Sequence, residues 1–129
     1  MSEPKFKHLS CPVVVLTIDE TQVMGDTLAD ELRDEFLTVF DQTGAVDVVV
    51  DFRKVSYISS AGLRPLLNLV RRTRERGGRL VLCNLSPDVE SVFEATRLVR
   101  STGSAPATFE REKDVPAAVA SLFRAPGAS

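Results

Sequence analysis

The chain has 129 residues, 43% of them hydrophobic, which suits one domain whose core needs neither metal nor disulfide staples. Its 16 lysines and arginines nearly balance 18 aspartates and glutamates, for a formal net charge of −2. No overall field would draw the protein onto nucleic acid or an anionic membrane, so any partner is recognised locally.

The opening residues MSEPKFKHLSC lack a charged segment followed by a long apolar one. No apolar stretch approaches the ~20 residues of a membrane span, so a soluble cytoplasmic protein is expected. Phe6 to Leu9 and Val13 to Ile18, separated by Ser10-Cys11-Pro12, read as a candidate hairpin, the second segment having the β-branched richness of a buried strand. From Asp26 the period changes: Leu28, Leu32, Phe36, Val39 and Phe40 share one helical face, with Asp26 as the expected N-cap and Gly44 just past the C-terminus. Val46 to Phe52 (VDVVVDF) is nearly continuous in apolar residues and is expected to be a central strand covered on both faces.

After Ser59 and Ser60, the residues Leu63, Leu66, Leu67 and Val70 recur at i, i+3, i+4 and i+7. That helix ends in Arg74-Glu75-Arg76-Gly77-Gly78, where cations suit the dipole and glycine a left-handed cap. Arg79 to Cys83 follows as another buried strand. Ser86-Pro87-Asp88 opens a third helix with Val89, Val92, Phe93 and Thr96 inward. A short strand around Thr108-Phe109 and a last helix from about Asp114, with Val115, Val119, Leu122 and Phe123 inward, complete the chain.

The order ββαβαβαβα predicts an α/β domain: a mixed, mostly parallel sheet of about five strands with four α-helices, any antiparallel edge coming from the first hairpin. The core is expected over about 6–123, with a short flexible tail at 124–129.

Few features carry chemistry. His8 is the single histidine and has no metal or triad pattern around it. Cys11 and Cys83 sit in apolar runs without CxxC spacing and read as small buried hydrophobes. Phosphate-cradling glycine motifs are absent, so no nucleotide or other cofactor is indicated. Arg64, Arg71, Arg72, Arg74 and Arg76 make the second helix basic; without interleaved aromatics they read as a solvated face. An enzyme would have to rely on Asp51, Cys83, Asn84 and Ser86 at the strand ends, of which Asn84 and Ser86 read more simply as loop and cap.

That leaves the two serines where strand gives way to helix. A serine there can cap the helix by accepting a backbone N–H, worth ~1 kcal/mol and requiring no function. It can also carry a phosphate, adding nearly two negative charges at the positive end of a helix.

The stretch VVVDFRKVSYISSAGLRPLLNLVRRTRERGGRLVLCNLSPDVESVFEAT resembles the centre of a STAS domain of the anti-sigma factor antagonist type. The resemblance runs from about Phe6 to Phe123 and is most specific from Asp51 to Gly62. It implies one STAS domain that is not an enzyme. The resemblance implies that, unphosphorylated, it binds an anti-sigma factor that is also a serine kinase of the ATPase-kinase type and so frees the sigma factor, that phosphorylation switches it off, and that a PP2C-type phosphatase resets it. Matched residue by residue, Ser60 is the phosphoacceptor, Ser59 stands where the family has aspartate and is the alternative acceptor, and Ala61, Gly62 and Leu63 complete the motif. Ser59, Ser60, Ala61, Gly62, Leu63 and Arg64 would form the partner-binding surface, and a side chain at Gly62 would obstruct the partner's approach. Pro65 inside the first helical turns is expected to loosen the helix start, and Arg97 in place of a helix-ending glycine to let the third helix run toward Gly103. A STAS adaptor or scaffold in a signalling or lipid-transport complex, never phosphorylated, is the alternative.

Overall fold

The computed structural model describes residues 13–95 and 109–123. In chain order the elements are β1 (Val13–Thr17), β2 (Gln22–Val23), α1 (Asp26–Thr43), β3 (Asp47–Asp51), β4 (Tyr57–Ile58), a 3-10 turn (Ala61–Leu63), α2 (Arg64–Glu75), β5 (Leu80–Cys83), α3 (Pro87–Ala95), β6 (Glu110–Glu112) and α4 (Val115–Leu122). The main sheet runs β1-β3-β5-β6, and every ladder among the described residues is parallel. Among the described residues, four helices and a parallel sheet agree with the expected class. The segment Phe6 to Leu9, with His8 and Cys11, lies outside the described residues, as do Thr96, Arg97, Gly103 and Thr108.

Strand β3 is buried at all five positions, because both of its faces are covered. Val48 and Val50, with Leu80 and Leu82 of β5, pack in the large cluster with Leu32, Phe36 and Phe40 of α1, Leu66, Leu69 and Val70 of α2, and Val89 and Phe93 of α3. Val49, Val81 and Cys83 point the other way and meet Ala118, Val115, Val119 and Leu122 of α4. A strand sandwiched so has no polar face to show, which is why its sequence does not alternate. Each fully buried aliphatic side chain here stabilises by about 1.5–3 kcal/mol. Phe52, Phe93 and Phe109 add two edge-to-face contacts, at 5.9 and 5.6 Å between centroids.

Several local expectations are corrected. Gly25, at φ 89°, is the N-cap of α1, and Asp26 is its first helical residue; the cap needs a positive φ that glycine adopts without cost. Gly44 closes the same helix in the left-handed conformation, as the sequence suggests. Pro65 stands at the second residue of α2, inside the first turn where a missing N–H costs least, so it starts the helix instead of loosening it. The sixth strand begins at Glu110, with Phe109 buried before it. Phe123 follows the end of α4 and is 63% exposed, not inward.

A second sheet was not foreseen. β2 pairs with β4 in parallel, Gln22 opposite Tyr57 and Val23 opposite Ile58. This two-residue ladder carries the chain into the serine turn.

Candidate functional site

The loop leaving β3 is tied at each step. The Asp51 carboxylate, almost wholly buried, accepts the Arg53 N–H through Oδ1 at 2.9 Å. The Val55 N–H donates to the Phe52 carbonyl at 2.9 Å. The N–H groups of Ser56 and Tyr57 both donate to the Thr21 carbonyl, at 2.7 and 3.3 Å, and that of Ser59 donates to the Val23 carbonyl at 2.9 Å. Ile58 and Val23 are buried, so the alternation of strand side chains sends Tyr57, Gln22 and Met24 to solvent.

At Ser60 the backbone enters helical dihedrals, φ −59° and ψ −36°. The Gly62 N–H donates to the Ser59 carbonyl at 2.9 Å, and the Leu63 N–H to that of Ser60 at 3.1 Å, forming the 3-10 turn. The two hydroxyls do different work. Ser59, half-buried, offers Oγ to the Gly62 N–H at 3.4 Å, a long capping contact. Ser60 is exposed, and its side chain makes no capping hydrogen bond among the described residues.

The expected six-residue surface therefore divides. Ser60 and Arg64 are exposed, Ser59 and Ala61 are half-buried, and Gly62 and Leu63 face the core. The reading of Gly62 as a point of partner approach is corrected: a Cβ there would strike this chain's own Val23, 2.6 Å from its carbonyl oxygen. Sequence reasoning missed Met24 and Tyr57, exposed apolar side chains at 48% and 43% on the mini-sheet beside the turn. It also missed Asp26, whose Oδ1 accepts from Arg64 Nη2 at 2.8 Å. Two-residue strands leave no period to read, and only the apolar residues flanking Gly25 and the serines hinted at such a patch.

The basic helix is largely absorbed by α1. Asp41 accepts from Arg72 Nη1 at 2.8 Å and from Arg76 Nη2 at 2.7 Å. Arg76 also caps the end of α1 by donating to the carbonyls of Ala45 (2.9 Å) and Phe40 (3.3 Å), its guanidinium lying 4.2 Å from the Phe40 ring centre.

Asp51, Cys83 and Asn84 do converge at the strand ends, as a fastening. Asn84, in the left-handed region at φ 58°, donates Nδ2–H to Asp51 Oδ1 at 2.9 Å, and Thr17 Oγ1 approaches Oδ2 at 3.5 Å. Burial, with the carboxylates of Asp51 and Asp114 nearby, pushes the Cys83 thiol up to about 12, far from a thiolate nucleophile at neutral pH. Ser86 Oγ accepts the Val89 N–H at 3.2 Å and caps α3. Among the described residues no helix is long and apolar enough to cross a membrane.

Residues 12–115 match the family model described as STAS domain. Over 72 residues the chain is 42% identical to a Bordetella bronchiseptica protein provisionally named anti-sigma factor antagonist BtrV; the match takes in 56% of this chain and 61% of that protein. The chain thus spans about three fifths of the curated relative it matches. A Thermotoga maritima protein, likewise provisionally assigned as an anti-sigma factor antagonist, superposes with a TM-score of 0.68 at 17% identity, over 85% of this chain and 88% of that one. The anti-sigma factor antagonist SpoIIAA in its unphosphorylated form superposes with a TM-score of 0.52 at 18% identity, over 84% of each chain. At such identities the two structures share the fold alone.

Proposed function

This chain belongs to the STAS domain family, and from that premise we propose that it is an anti-sigma factor antagonist switched by phosphorylation of Ser60. Unphosphorylated, it binds an anti-sigma factor that is also a serine kinase of the ATPase-kinase type, so the sigma factor is released in the cytoplasm. The kinase ends this state by transferring phosphate to Ser60, and a PP2C-type phosphatase restores it. The observation that carries the reading is the division between the serines: Ser59 contributes its oxygen to the turn, while Ser60 stands exposed.

The chemistry belongs to the partner. Ser60 Oγ attacks the γ-phosphorus of the partner's ATP, the bond from that phosphorus to the departing ADP breaks, and the hydroxyl proton passes to a base of the kinase. This chain supplies position. β4 and the Val23 carbonyl fix the turn, Leu63 and Leu66 anchor the helix behind it, and the exposed Met24, Tyr57 and Arg64, with half-buried Ala61, offer surface for docking on the segments that lead into and out of the turn. A phosphate there brings nearly two negative charges into a contact that must lose water, which opposes docking.

The test is to incubate the protein with ATP and each candidate anti-sigma kinase, record intact mass and map the modified peptide. A gain of about 80 Da, one phosphoryl group, on Ser60 is expected, with Ser60→Asp weakening the complex and Ser60→Ala binding but resisting inactivation. A gain on Ser59 would move the acceptor by one residue. One observation favours a second reading: Ser59 stands where the family has aspartate, which removes a charge beside the acceptor. A stable complex without any mass gain would replace the switch with a constitutive STAS adaptor or scaffold.

A further inference from the structure

We propose that Arg64 reads the charge on Ser60: it is held by Asp26 while Ser60 carries a hydroxyl, and it leaves Asp26 for the phosphate once Ser60 is phosphorylated, unfastening the first turn of α1. The inference rests on Ser60 as the phosphoacceptor.

Arg64 follows Ser60 by four residues along backbone in helical dihedrals: φ −59°, ψ −36° at Ser60, −79° and −20° at Leu63, and −59° and −44° at Arg64. The turn between them is 3-10, so α-helical spacing does not stack the two side chains; four residues of such backbone rise about 8 Å, a gap that a long arginine side chain swinging off Asp26 can cross. Both are exposed while Leu63 is buried, so they share the solvent side of the turn. Several of the other described cations are held elsewhere. Arg53 lies 3.6 Å from Asp51, Lys54 3.0 Å from Asp19, Arg33 3.1 Å from Asp34, and Arg72 and Arg76 meet Asp41.

The present bond is easily exchanged. The Asp26 side chain is 84% exposed and that of Arg64 50%, so their 2.8 Å contact is screened by water. A phosphate offers three acceptor oxygens and nearly twice the charge, and a guanidinium can grip it with two parallel N–H bonds, outcompeting a single carboxylate oxygen. Asp26 matters to α1 because it is the first residue of that helix, whose N-cap Gly25 supplies no side-chain cap. Its first bond is the Ala29 N–H to the Gly25 carbonyl, at 3.1 Å. Losing Arg64, and gaining a repelling phosphate nearby, would carry the signal from the serine turn to α1.

The test installs phosphoserine at position 60 of the full chain during translation, so it needs no kinase and its failure is distinct from failure of the partner reading. Phosphorus NMR titration is expected to place the phosphate's second pKa, ordinarily ~6, lower in the otherwise unaltered chain than in R64Q by roughly 0.2–0.7 unit. R64K, which keeps the charge, retains part of that lowering. Phosphorylation also speeds exchange of the Ala29 amide by roughly threefold, the scale of one surface ion pair, and D26N shows the faster exchange without phosphate. Equal phosphate pKa values in the unaltered and R64Q chains, or Ala29 exchange indifferent to phosphorylation, would overturn the proposal.

Discussion

Gly62 lies so close to Val23 that a Cβ built on it would sit 2.6 Å from the Val23 carbonyl oxygen and 2.8 Å from its Cγ1, with Ile58 Cγ1 at 2.9 Å. That same carbonyl accepts the Ser59 N–H, so the glycine and the serine turn depend on one backbone atom. Gly62→Ala must push β2 away, and Gly62→Val further still. We expect the alanine variant to lose roughly 2 kcal/mol, the scale of an overpacked core, and the valine variant more. Urea unfolding measures this; an alanine variant as stable as the parent would show that β2 yields freely.

Much of the fold was legible because its signals are periodic. Leu63, Leu66, Leu67 and Val70 announce α2, and the unbroken VDVVVDF announces a strand covered on both faces, because burial leaves a mark at every position. Ser86 before proline and Asp114 before Val115-Pro116 announce helix starts, since a cap is a local hydrogen bond; the Asp114 side chain accepts the Ala117 N–H at 2.9 Å. What stayed hidden is non-local. Pairing of Gln22-Val23 with Tyr57-Ile58 joins segments some 35 residues apart through only two residues each. The contact of Arg64 with Asp26 spans 38 positions, and nothing in either neighbourhood names the other. At the site, the sequence marks the serine pair but not which hydroxyl turns inward, because that depends on where the Val23 carbonyl holds the turn.

The seam between α1 and α2 turns on Asp41, which holds Arg72 and Arg76 together. Arg76→Ala also removes two carbonyl caps and a cation over Phe40, and should cost about 2 kcal/mol. Arg72→Ala should cost less than about 1 kcal/mol, since its pair with Asp41 is partly exposed. If the carboxylate is the common link, Arg72→Ala adds almost nothing once Asp41 is alanine. A double-mutant cycle of Arg72 and Asp41 by chemical unfolding reads this directly, and strictly additive losses would mean that Arg72 does not act through Asp41.

Cys83 sets an alkaline limit on stability. Burial first, then the Asp51 and Asp114 carboxylates, raise its thiol from 9.0 to about 12 in the folded protein. A raised folded value means that the native state keeps its proton while the unfolded chain releases it. The thiol's contribution is therefore fully present below about pH 9 and is lost progressively as pH rises toward 12. The same burial shields the sulfur, so iodoacetamide at pH 8 should leave Cys83 unmodified in the native protein and label it in 6 M guanidinium, as read by peptide mass mapping. Unfolding midpoints in urea should fall between pH 9 and 10.5, and less so in Cys83→Ala. Rapid native labelling of Cys83, or an identical alkaline fall in the alanine variant, would mean that the thiol is reached by water and that other groups govern the loss.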